Sequence, residues 1–155
     1  MKAVYFERFG GPEVLICGDR PDPVPKPDEV LIEIAAASIN ATDWKARAGS
    51  YRPPAGHDMQ FSFPLVLGRD LSGTVSAVGK DVDSFKTGDE VFAVCMRFED
   101  GCYAEKNAVR ANMVGKKPAS VSHVESAALA LTALTTVSAL EETLQLQRGE
   151  TILIQ

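Results

Sequence analysis

The residues best suited to attack a bond or hold a metal are few: Cys17, Cys95 and Cys102, with His57 and His123, in a chain of 155 residues. The cysteines are odd in number and widely spaced, without a Cys-x-x-Cys pair. That spacing suits neither a disulfide framework nor a thiolate zinc knuckle. No histidine or cationic cluster adjoins Cys95 or Cys102 in sequence to favour a thiolate, so both read as small buried residues rather than nucleophiles. The histidines read as a loop residue and one near a helix start. What remains is hydrogen-bonding chemistry. Asn40 follows an apolar run, where it either closes a strand as a turn residue or offers an amide donor. Asp43 supplies a carboxylate at a possible helix start, and Lys45 an ammonium that is either solvated or turned to a ligand. Tyr51, shortly before Pro53-Pro54, can stack on a flat ring or simply cover a core. Arg69 beside Asp70 can form a structural ion pair.

A mostly β chain must position these groups. Up to about Pro118, short alternating runs at residues 3–6, 14–17, 30–34, 73–78, 91–94 and 102–108 predict strands. Gly10-Gly11-Pro12, Gly79-Lys80-Asp81 and Thr87-Gly88-Asp89 supply turns between them. Many short strands with Gly/Pro punctuation favour a barrel or sandwich. Pro21, Pro23, Pro25 and Pro27 make an extended connector that cannot join a sheet interior. At Ser122 the period changes. Ser122-His123-Val124-Glu125 fits a capping box, and a helix is expected to about Gln147, with Leu134, Val137, Leu140 and Leu144 on one apolar face. Gly149 stands where a helix C-terminal glycine belongs. The closing run Thr151-Ile152-Leu153-Ile154-Gln155 has no alternation and reads as a strand buried on both faces, as in a parallel sheet. The expected organisation is a β domain over 1–121, a helical connector over 122–148 and the first strand of a second domain over 149–155.

A net charge of −5, scattered along the chain, argues against nucleic acid or an anionic membrane as partner. No segment approaches the ~18 continuous apolar residues of a membrane span. The N-terminus alternates like a strand and lacks the apolar core of a secretory signal. A reducing cytoplasm is the expected location.

The run Gly68-Arg69-Asp70-Leu71-Ser72-Gly73-Thr74-Val75-Ser76-Ala77-Val78-Gly79 resembles the signature G-(H/x)-(E/D)-x-x-G-x-V-x-x-x-G of the medium-chain dehydrogenase/reductase superfamily, which contains alcohol dehydrogenases and quinone reductases. Asn40-Ala41-Thr42-Asp43, Lys86-Thr87-Gly88-Asp89-Glu90-Val91, Gly101-Cys102-Tyr103-Ala104-Glu105 and Leu131-Thr132-Ala133-Leu134-Thr135-Thr136 match further family segments in the right order. The resemblance implies a GroES-like β-barrel catalytic domain joined through helices to a Rossmann domain. There a glycine-rich turn after the first strand would cradle the cofactor's pyrophosphate. With that strand at 151–155 the glycine turn would follow, so the chain alone is expected not to turn over.

Zinc-dependent relatives take their catalytic ligands from Cys, His and a distant Cys or Asp. The corresponding positions here hold Asn40, Arg69 and Leu131, a fixed cation and a hydrocarbon among them, so no metal is expected. Without zinc the resemblance points to NADPH-dependent reduction of quinones or α,β-unsaturated carbonyls. Hydride delivered to an enone leaves negative charge on the carbonyl oxygen, which donors in a water-poor cleft can stabilise. By resemblance Asn40 faces nicotinamide and substrate, Lys45 lies near cofactor or substrate, and Tyr51 sits at the pocket rim. Arg69 takes the former histidine position, and Thr132 and Thr135 approach the nicotinamide ring; helix packing is their alternative. The rival expectation is a non-catalytic GroES-like binding or assembly module. On either reading the apolar C-terminal elements would favour self-association.

Overall fold

A computed structural model describes residues 1–50, 62–96 and 99–154. In chain order the elements are β1 (Lys2–Phe6), β2 (Ile16–Asp19), β3 (Glu29–Ser38), α1 (Ala41–Arg47), β4 (Leu65–Val66), β5 (Asp70–Val78), β6 (Glu90–Val94), β7 (Lys106–Arg110), β8 (Val114–Lys116) and α2 (His123–Val137). The fold is mainly β with C-terminal helices, as expected.

Among the described residues the strands form two antiparallel sheets, ordered β2-β1-β4 and β7-β3-β5-β6-β8. The larger sheet is built on the long pair β3–β5. Val30, Ile32, Leu71, Val75, Val91, Ala93 and Val109 alternate inward from its strands and form the main core with Cys95 and Cys102. Phe6, Val14, Leu65 and Leu67 form a second cluster under the smaller sheet, and Tyr103 packs against both.

Two glycines of the family-like run permit close backbone approach. A Cβ on Gly73 would fall 2.0 Å from Glu33 O, and one on Gly79 would fall 2.1 Å from Lys26 O.

Some expected elements are displaced. The run expected as a strand at 14–17 begins as a short 3-10 turn, Pro12–Val14, and becomes a strand only at Ile16. The run 102–108 splits, with β7 starting at Lys106. Before it the backbone threads between other segments: Gly101 N–H donates to Val66 O, Tyr103 N–H to Leu67 O, and Tyr103 O accepts Val4 N–H.

The capping box at the start of α2 is present. Glu125 N–H donates to Ser122 Oγ at 3.2 Å, and Ser122 N–H donates to Glu125 Oε2 at 2.9 Å. The buried face, however, is made of Ser126, Ala127 and Ala130, while Leu134, Val137 and Leu144 are exposed. Small side chains let the helix approach the sheet closely, and the larger leucines point away. Beyond Val137 the helix widens into a π-helical stretch, Ser138–Thr143. It closes at Gln145, which has φ 51, not at Gly149. Gly149, with φ 95, instead occupies a turn in which Glu150 N–H donates to Gln147 O. Residues 151–154 have no strand pairing among the described residues. A strand needs a neighbour, and none is at hand, so Leu153 and Ile154 stand 81% exposed. The helical stretch His123–Thr143 is long and apolar enough to cross a membrane by length and composition. Here its first turns dock on the sheet.

Candidate active site

The antiparallel register of β3 and β5 sets Ser38 opposite Asp70 at one end of the sheet. Asp70 is fully buried. Its Oδ2 accepts hydrogen bonds from Ser38 Oγ at 2.7 Å and from Asn40 Nδ2 at 3.1 Å. Asn40 Nδ2 also donates to Ser38 Oγ at 3.2 Å. The two acceptors are themselves 2.7 Å apart, so Nδ2 reaches both with one amide proton, and its second proton is not used by these bonds.

Asn40 also caps α1, in keeping with the helix start offered for Asp43 in the sequence. Its backbone N–H donates to Asp43 Oδ2 at 2.7 Å, and its carbonyl accepts Asp43 N–H at 3.0 Å. The same Asp43 Oδ2 accepts the Tyr103 hydroxyl at 2.8 Å. Asp43 is only 4% exposed. Burial pushes its carboxyl above the usual range, with the nearby Asp70 carboxylate adding to the rise, while the bonds from Asn40 and Tyr103 and the Arg69 charge act against it. Burial, and then the Asp43 carboxylate, push the Tyr103 phenol well above its usual value.

Arg69, half-buried, follows in the chain directly before Asp70 and is close enough to Asp43 to act on its charge. The site therefore gathers Asn40 and Arg69 with three groups whose part was missing from the sequence reading: Ser38, the Asp70 carboxylate as acceptor, and Tyr103. Two oxygens at the head of α1, Thr42 Oγ1 and Asp70 Oδ1, are buried with no hydrogen-bond partner among the described residues.

Lys45 is not part of this cluster. It is exposed on α1, with Nζ 5.6 Å from the ring centroid of Trp44, itself 50% exposed. Ile39, just before the helix, is 86% exposed. Thr132 and Thr135 are exposed on α2, and each hydroxyl donates to its own helix: Thr132 Oγ1 to Ala128 O at 3.0 Å and Thr135 Oγ1 to Leu131 O at 2.9 Å. Tyr51 and His57 lie outside the described residues.

Among the described residues no group of three or more His, Cys, Asp or Glu converges as a metal site. Asn40, Arg69 and Leu131 do not fit a zinc ion: Arg69 is a cation and Leu131 has no donor atom, which leaves at most the Asn40 amide oxygen where three ligands are needed. Cys95 and Cys102 are buried free thiols. The Cys102 thiol is pushed up by its contact with the Cys95 thiol and by burial, which makes it a poor nucleophile.

The family described as "Alcohol dehydrogenase GroES-like domain" matches residues 26–129. A spinach protein described as a chloroplastic quinone-oxidoreductase homolog is 37% identical over 143 residues, covering 92% of this chain and 42% of the relative. Pig quinone oxidoreductase is 35% identical over 155 residues, covering 99% and 45%. The Escherichia coli quinone oxidoreductase solved with NADPH superposes with a TM-score of 0.81 at 32% identity, covering 92% of this chain and 41% of that one. The chain thus spans less than half the length of these relatives. It belongs to the alcohol dehydrogenase GroES-like domain family, within the medium-chain dehydrogenase/reductase superfamily of oxidoreductases.

Proposed function

We propose that this chain is the catalytic-domain portion of a zinc-independent, NADPH-dependent oxidoreductase that reduces quinones or α,β-unsaturated carbonyls. In this reading 1–121 form the catalytic barrel, 122–148 the helical connector and 149–155 the entry to a dinucleotide-binding domain. The observation that carries it is the set Asn40, Arg69 and Leu131 at the zinc-ligand positions of an oxidoreductase family. A polar, cation-bearing site replaces the metal.

A reduced nicotinamide bound there would supply hydride. Thr132 and Thr135 fit its carboxamide, because their exposed hydroxyls keep lone pairs free to accept hydrogen bonds. The chain's own residues then have distinct tasks. Arg69 places positive charge at the site, where charge developing on a substrate carbonyl oxygen would be stabilised. Asp70 and Ser38 hold the Asn40 amide, and Asp43 with Tyr103 holds the backbone at the head of α1. Trp44, Ile39 and Lys45 offer an exposed apolar face with one cation for a flat ring, with Tyr51 assigned to the rim.

The exposed apolar side chains of α2 and of 151–154 support self-association of the chain on its own. Three free cysteines fit a reducing compartment such as the cytoplasm.

The test is an enone and quinone screen with NADPH and NADH on the full-length gene product, beside the same screen on the 155-residue chain. Turnover is expected only from the former, without added zinc. NADPH binding by the short chain at about micromolar affinity would overturn the division of labour. Inactivity of both with every acceptor would favour the rival, a binding or assembly module.

A further inference from the structure

His123, the first residue of α2, faces the sheet with both ring nitrogens. Nδ1 lies 2.8 Å from Ser72 Oγ on β5, and Nε2 lies 3.3 Å from Glu90 Oε1 on β6. The order serine, histidine, carboxylate looks like a hydrolytic triad, but Ser72 is fully buried and its hydroxyl donates to Val91 O at 2.8 Å. It is a structural linkage.

Counting protons gives it a property. A serine hydroxyl has one proton. With that proton on Val91 O, Ser72 Oγ can only accept from His123 Nδ1–H, and the Glu90 carboxylate can only accept from Nε2–H. Only the imidazolium carries both protons. A neutral ring protonated at Nδ1 turns a lone pair toward Glu90. Protonated at Nε2, it forces Ser72 to turn its proton to Nδ1, and Val91 O loses that donor inside the sheet.

The charged groups around the ring agree with this. Glu90 faces it from β6. Behind Glu90 stands Lys117, following β8, with Nζ 3.1 Å from Glu90 Oε2 and a side chain only 6% exposed. Lys117 is itself fixed by donation to Val121 O at 2.7 Å. Its charge, with that of His123 second, holds the Glu90 carboxyl below the usual range. From β5 the ring meets uncharged Ser72, while Asp70, two residues along that strand, is turned to Ser38 and Asn40, and Glu125 on α2 is turned to Ser122.

We propose that His123 is a protonation-operated clasp: as the imidazolium it fixes the first turn of α2 on β5 and β6, and as the neutral ring it loosens that turn. Because α2 carries Thr132 and Thr135, the clasp would also set how that helix is presented to a nicotinamide. That consequence rests on the proposed function; the clasp does not.

Thermal unfolding of the wild type, His123→Gln and Glu90→Gln at about pH 5.5 and about pH 8.5 tests it. His123→Gln is expected to lower Tm by about 3 °C at the lower pH and by less than about 1 °C at the higher. Amide exchange supplies a local readout. Corrected for intrinsic rate, protection at Ser126 and Ala127 should fall about tenfold with the same rise in pH in the wild type and hold level in Glu90→Gln. A wild-type-to-His123→Gln gap that does not change with pH would overturn the clasp and leave a packing residue. So would wild-type protection that is independent of pH. Neither measurement uses a cofactor or substrate, so failure here is distinct from failure of the oxidoreductase reading.

Discussion

Replacing Tyr103 by Phe removes one hydroxyl and nothing else, and the structure says what that hydroxyl does. It donates at 2.8 Å to Asp43 Oδ2, on a carboxylate 4% exposed that also receives Asn40 N–H. A hydrogen bond to a charged acceptor contributes about 1.5–3 kcal/mol, and Tyr103 is only half-buried, so a loss of about 2 kcal/mol is expected near neutral pH. For a chain of this size that is roughly 4–8 °C in Tm. The loss should also depend on pH. Asp43 is raised above its ordinary value, mainly by burial, so the folded state binds protons more readily than the unfolded chain. Asp43 therefore makes stability fall as pH rises through that interval. The Tyr103 bond opposes this by favouring the carboxylate. Without it Asp43 rises further, and the variant loses stability more steeply with increasing pH. The gap between wild type and variant should be about 2 kcal/mol at about pH 7.5 and shrink toward about pH 4.5, as the carboxyl takes up its proton. Denaturant unfolding at the two pH values measures it. A gap below about 0.5 kcal/mol at the higher pH, or one of equal size at both, would refute the argument.

Other outcomes follow from the same geometry. Asn40→Ala removes the donor to Asp70 and Ser38 and should cost about 2 kcal/mol, read from circular-dichroism melts; a neutral effect would show that the buried network does not matter. Gly79→Ala would place a Cβ 2.1 Å from one backbone carbonyl oxygen and 2.4 Å from the next, and should cost about 2–4 kcal/mol. Gly88→Ala, at φ 93 with open space around it, should cost only about 1 kcal/mol; equal losses in denaturant titrations would contradict the steric account. Adding zinc, or dialysing against a chelator, should leave Tm within about 1 °C, since no group of three or more His, Cys, Asp or Glu converges among the described residues. Leu153→Glu, at an apolar position 81% exposed, should move the chain toward monomer in sedimentation velocity; an unchanged distribution would remove self-association from the proposal.

The three central strands of the larger sheet, β3, β5 and β6, were legible because each buries one face, and period-2 alternation is the direct record of that. Residues 30–34, 73–78 and 91–94 all fall within β3, β5 and β6. Elements without such a record were missed. β4 and β8 are two and three residues long, too short to display a period. Of α1 only a start at Asp43 was legible, because the helix is seven residues long with Asp43 as its one buried residue and carries no apolar stripe. The face by which α2 docks on the sheet was not legible for a related reason. Leu134, Val137 and Leu144 repeat at helical spacing, but the sheet takes up Ser126, Ala127 and Ala130, which scarcely register on a hydrophobic pattern.

The site shows the same division more sharply. Asn40 and Arg69 were found because motif position carries them. What those positions do depends on pairings across the sheet that no local window contains. Ser38 meets Asp70 only through the β3–β5 register, and Tyr103 reaches Asp43 across 60 residues of sequence. These long-range partners account for the orientation of Asn40. One of its amide protons is held by a buried carboxylate and a serine that lie side by side, which fixes the side chain and leaves the second proton outside these bonds. Asn40 is thus part of a buried polar cluster with Ser38 and Asp70, and Arg69 brings a positive charge close to it. That arrangement follows from the register of two strands more than from any one residue.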